Sequence, residues 1–153
     1  MKSHKNKTID PVKEKKNAIC AALGVQEDDV FEETSGSHYG LDTFGVARKQ
    51  YAIGTREEAE EACQSYIRDS IWAFNADFIL GCCNLPHGLK RAIENFQREE
   101  CENANEPLFE LVDKTCGIIK FTEEAISADG LGHFLATYDG QELEAGKFII
   151  FRI

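Results

Sequence analysis

Apolar residues recur along most of this chain at the three-to-four-residue spacing of helices and switch to alternation in a few short runs. Ala59, Ala62, Cys63, Tyr66 and Ile67 fall at i, i+3, i+4, i+7 and i+8. Thr55 with Glu58 three residues later forms a capping box, so a helix is predicted over 56–70. Nearer the N-terminus, Asp10 as N-cap, Pro11 at the first helical position and Gly24 just past the end frame a helix over 11–23. Val12, Ala18, Ile19, Ala22 and Leu23 are its residues to bury. An acidic run at 26–33 leads into SGSHYG, which reads as a loop. Over residues 42–54, Phe44, Val46 and Arg48 alternate with Ala47, Lys49, Tyr51 and Ile53. That predicts one strand near 43–53, paired with a short one at 30–33.

Beyond residue 70 the pattern stays helical for some fifty residues. The chain is expected to bend at Asn75, which caps a short helix carrying Phe78, Ile79 and Leu80 before Gly81. Leu89, Ala92, Ile93 and Phe96 form the stripe of another helix, with Lys90, Glu94 and Arg98 at i, i+4 spacing outside. A further helix follows Asn105, with Pro107 in its first turn and Leu108, Leu111 and Val112 inside, and Gly117 breaks it. Ile118, Phe121, Ala125 and Ile126 give one more helix, ending near Ser127. Residues 147–153 are apolar on both faces and suit a strand between two neighbours. They are expected to pair with a strand at 133–138, the loop 140–146 closing a C-terminal hairpin. The fold class is therefore α+β: a small, mostly antiparallel sheet, from the strand near 43–53 and the hairpin 133–138/147–153, packed against several helices.

Length and composition fit one domain. At 153 residues and 42% hydrophobic content with ten Phe, the chain can bury a core without staples. A mean hydropathy of −0.36 and no long apolar run argue against a membrane span. Lys2, Lys5 and Lys7 are followed by no apolar signal region, so the expected compartment is the cytoplasm. Residues 1–9 read as a basic disordered tail and 10–153 as the folded domain.

Charge changes the picture more. Residues 1–16 hold six Lys against Asp10 and Glu14, which leaves 11 basic and 25 acidic residues in the rest of the chain. Such a body repels nucleic acid and attracts a basic partner, while a lysine-rich tail can touch phosphate. Glu57, Glu58, Glu60 and Glu61, in the first turns of the helix at 56–70, make the densest negative patch and the candidate partner-binding surface.

Candidate chemistry is sparse. His133 with Asp129 and Asp139 holds the parts of a general base and its orienter, although Asp129–Gly130 and Asp139–Gly140 are also ordinary turn dipeptides. Gly130 and Gly132 make no phosphate loop, since no GK[ST] or GxGxxG follows. Cys82, Cys83, His87 and Cys101 lack the close pairs of a zinc site, and Cys116 has no readable partner as a nucleophile. The six cysteines read as reduced core thiols, and neither cofactor nor metal is expected. Tyr66, Trp72 and Phe74 read as a core wedge between helices.

The stretches YAIGTREEAEEA (51–62), DSIWAFNADFI (69–79), ADGLGHFLATYDGQE (128–142) and FIIFRI (148–153) resemble a family of small uncharacterised proteins of bacteriophages and other bacterial mobile elements. The likeness runs from Gln50 to the C-terminus. It implies an accessory protein acting in the bacterial host cytoplasm. Combined with the acidity, it implies a binder of a host protein with a basic surface, such as a restriction or CRISPR effector, through a DNA-mimicking face. Two alternatives remain: a small enzyme using His133 with Asp129 or Asp139, and a nucleic-acid-binding module acting through the lysine tail.

Overall fold

A computed structural model describes residues 9–33 and 36–153. Most of the segment expected to be a basic tail, residues 1–8, and Thr34 with Ser35, the first residue of the SGSHYG loop, lie outside the described residues. Helix α1 (Pro11–Leu23) starts where its signals place it: Val12 N–H donates to Asp10 Oδ1 at 3.1 Å, and Gly24 ends it at φ 67°. Strands β1 (Val30–Glu32), β2 (Asp42–Val46) and β3 (Lys49–Thr55) follow, then helix α2 (Arg56–Ser70) on the Thr55/Glu58 capping box. Helices α3 (Ala76–Cys82), α4 (Lys90–Glu100), α5 (Asn105–Lys114), α6 (Ile118–Asp129) and α7 (Leu131–Leu135) precede strands β4 (Glu142–Ala145) and β5 (Phe148–Arg152).

The five strands form one antiparallel sheet in the order β1-β2-β3-β5-β4. Its two faces carry separate cores. Ile19 of α1 covers Phe44, Val46, Ile53, Phe148 and Ile150, whereas Ala52, Ile149 and Phe151 face the remaining helices through Ala59, Cys63, Phe121 and Leu135. Strand β5 lies between β3 and β4, as its apolar content on both faces requires, and each of its fully buried side chains contributes about 1.5–3 kcal/mol. No helix among the described residues is long and apolar enough to cross a membrane.

Two expectations about strands are corrected. The single strand near 43–53 is a hairpin: Val46 pairs with Lys49, and Ala47 turns the chain at φ 55°. A two-residue turn hides inside an alternating run when its members are Ala and Arg rather than Asn and Gly. The strand expected at 133–138 is absent. Leu131, Phe134 and Leu135 recur at i, i+3 and i+4, and all three bury into the helical layer as α7. The C-terminal hairpin exists, but its first arm is β4, inside the segment expected to be its loop.

Gly132 explains how α7 and the hairpin fit together. A Cβ there would stand 2.7 Å from the Gly140 carbonyl oxygen and 2.9 Å from the Glu142 nitrogen, so only glycine lets α7 rest on the turn before β4. Its N–H donates to Glu142 Oε2 at 3.0 Å.

Candidate functional site

The acidic first turns of α2 divide by helical geometry. Glu58 points back: its Oε2 accepts from Thr55 N–H at 3.0 Å and lies 3.1 Å from Lys15 Nζ on α1. Lys15 also reaches Asp42 at 2.8 Å. Burial pulls the Lys15 pKa down, but the two carboxylates outweigh it and hold the ammonium above its ordinary value. Glu58 is thereby spent on joining α1, β2 and α2.

Glu57, Glu60, Glu61 and Gln64 share the opposite stripe at i, i+3, i+4 and i+7. They wall a groove of about 470 Å³ whose other side is the matching stripe of α6, with Ile119, Thr122, Glu123 and Ile126. Ile119 is 64% exposed, and the buried Thr122 hydroxyl has no hydrogen-bond partner. Glu60 lies 3.7 Å from Arg56, while Glu57, Glu61 and Glu123 have no basic side chain within 4.0 Å among the described residues. The α6 wall was missed in the sequence, although Ile119, Thr122, Glu123 and Ile126 carry the same readable spacing.

The second concavity is aromatic. The bend after α2 is sewn by two amides: Asn105 Nδ2 donates to the Arg68 carbonyl at 2.9 Å, and Gln97 Nε2 donates to the carbonyls of Trp72 and Phe74 at 2.9 and 2.7 Å. These bonds fix Phe74 beside α3 and α7. Tyr66, Phe74, Phe78 and Phe134 then surround a cavity of about 430 Å³, with Asp129 and His133 at its polar side. Trp72 is not among its lining residues, while Tyr66 and Phe74, read from sequence as core, serve both core and cavity.

The expected His133, Asp129, Asp139 constellation is only partly assembled. His133 and Asp129 share the cavity, and His133 packs edge-on against Phe134 with centroids 4.9 Å apart. Asp139 lies outside it, its Oδ1 accepting from Gln141 N–H at 3.0 Å in the turn before β4. Neither aspartate comes within 4.0 Å of His133; among the described residues the one such histidine–carboxylate pair is His87–Asp77 at 3.2 Å. A base without an oriented partner lacks the geometry of a charge-coupled dyad.

Of the cysteines expected in the core, Cys63 and Cys83 are buried, whereas Cys101 is exposed. Burial pushes the Cys63 thiol up to about 12 and Cys82 to about 11, so both stay protonated and inert. No group of three or more His, Cys, Asp or Glu among the described residues is placed to hold a metal ion. Compared with family models, with curated proteins and with solved structures, the chain matches none.

Proposed function

We propose that this protein is a protein-binding factor that takes a basic, Lys/Arg-rich segment of its partner into the groove between α2 and α6. The supporting observation is the groove itself: Glu57, Glu60, Glu61 and Glu123 stand on both walls, together with the apolar side chains of Ile119 and Ile126, the former 64% exposed. Carboxylates attract the cations, and an apolar side chain of the partner covers the isoleucine. The partner in this reading is a host nucleic-acid-handling enzyme, such as a restriction or CRISPR effector, whose basic surface the groove occupies in place of a phosphate backbone.

The test is affinity capture from a bacterial host followed by binding measurements against salt. Binding to the captured nucleic-acid enzyme should weaken steeply as salt rises, and Glu57→Gln with Glu61→Gln and Glu123→Gln should weaken it at least tenfold. A partner whose binding ignores both salt and the triple substitution removes the groove from the interface. A second reading, a small enzyme, is favoured only by the shared cavity of His133 and Asp129; His133→Ala would abolish such an activity.

A further inference from the structure

The aromatic cavity has a charge character that the acidic groove does not explain. Four carbocyclic rings line it, and three of them, Tyr66, Phe74 and Phe78, are only partly buried, so π surface is open to a guest. Neighbouring rings pack on one another: the Phe74 ring centroid lies 5.6 Å from that of Phe78 and 6.1 Å from that of Phe134, and the Tyr66 centroid lies 6.0 Å from that of Phe134. No Lys or Arg lines the cavity, and Asp129 has no basic side chain within 4.0 Å among the described residues.

Helix ends reinforce the sign. Asp129 is the last residue of α6 and Ser70 the last of α2, so two helix C-termini, each the negative end of its dipole, meet at this cavity. A cation beside Asp129 would offset the repulsion between its carboxylate and the negative end of α6. Of the helix N-termini there, that of α3 is closed by Asn75, whose Oδ1 accepts from Asp77 N–H at 2.8 Å, and in that of α7 the Gly132 N–H donates to Glu142 Oε2 at 3.0 Å. Ser70 is also spent, donating to the Tyr66 carbonyl at 2.7 Å. Beside His133, that leaves ring faces, a free carboxylate and two dipole ends, which attract positive charge.

We infer that this cavity is a binding site for a small organic cation, an ammonium with an apolar or aromatic body, the body against Phe74 and Phe78 and the charge toward Asp129. Three probes with one body and different heads test it on the full chain by amide NMR titration: phenethylammonium, 2-phenylethanol and phenylacetate. Phenethylammonium should move the amides of Tyr66, Phe74, Asp129 and His133, bind about tenfold more tightly than the alcohol, and leave phenylacetate without measurable binding. Asp129→Asn, an exposed substitution whose spectrum reports its own folding, should remove the preference for the ammonium over the alcohol. Equal or tighter binding of phenylacetate, an unchanged preference in the Asp129→Asn protein, shifts confined to another surface, or no response to phenethylammonium each overturns the inference.

Discussion

The His38 Nε2 lies 2.8 Å from the carbonyl oxygen of Leu135, joining the loop before β2 to the end of α7. A carbonyl only accepts, so Nε2 carries the hydrogen. Burial pushes the His38 pKa below its ordinary 6.5, against the opposing pull of the carbonyl. A group depressed in the folded state contributes stability that is complete above its unfolded value and lost as pH falls through the folded one. Stability should therefore decline on acidification below about pH 6.5. Urea unfolding of His38→Gln between pH 7 and pH 5 should show a shallower slope than the parent protein, and identical slopes would dissociate His38 from the decline.

Replacing Gly132 by alanine sets two effects against each other. Alanine gains about 1 kcal/mol of helix propensity, but its Cβ would stand 2.7 Å from backbone that cannot swing aside like a side chain. The clash should win, with a net loss of about 1–3 kcal/mol. Denaturant midpoints measure it, and an unchanged or raised midpoint would mean that α7 lifts from the turn freely.

Lys15 is 8% exposed and serves two carboxylates that are themselves half open to water. Lys15→Met keeps the buried stem and strands both acids, for a loss of about 1–3 kcal/mol at neutral pH, between the ranges of surface and buried pairs. Because the ammonium pKa is raised, its contribution is complete below the ordinary lysine value and disappears as pH rises through the folded one. Thermal unfolding from pH 8 to pH 11 should show the gap between parent and variant narrowing.

The hydroxyl of Thr122 is buried without a partner at the acidic groove. Thr122→Val keeps the shape and removes the unpaired oxygen, so it should stabilise the protein by about 1 kcal/mol and raise the melting temperature. A drop in melting temperature would show that the oxygen has a bonding role.

How much of this was legible beforehand followed from how local each signal is. Caps such as Asp10 and Thr55 act within one turn, and they placed α1 and α2 correctly. The failures came where a distant contact decides. Gly132 looks like a loop glycine until the turn at Gly140 is seen against it, and the Ala47 turn carries no turn dipeptide. The candidate sites behaved likewise. Glu57, Glu60 and Glu61, singled out by their density, line one groove, whereas Glu58 is turned away by Lys15 from another helix and Glu123 of α6 stands across the groove. His133 and Asp129 were joined by the fold, and Asp139 was separated by a local hydrogen bond to Gln141.

Strand β5 occupies an interior place in the sheet, yet Thr55 and Phe148, which it pairs, are separated along the chain by the whole helical layer. Hairpin β2–β3 and the helices can form early from nearby residues, while the sheet stays open along β3 until the last strand arrives. Completing it closes a long loop, whose entropic cost must be met before the pairing of Tyr51 with Arg152 returns any of it. During synthesis the exposed edge of β3 therefore waits for its partner, and the order in which the chain emerges becomes part of how this fold avoids pairing with a neighbour.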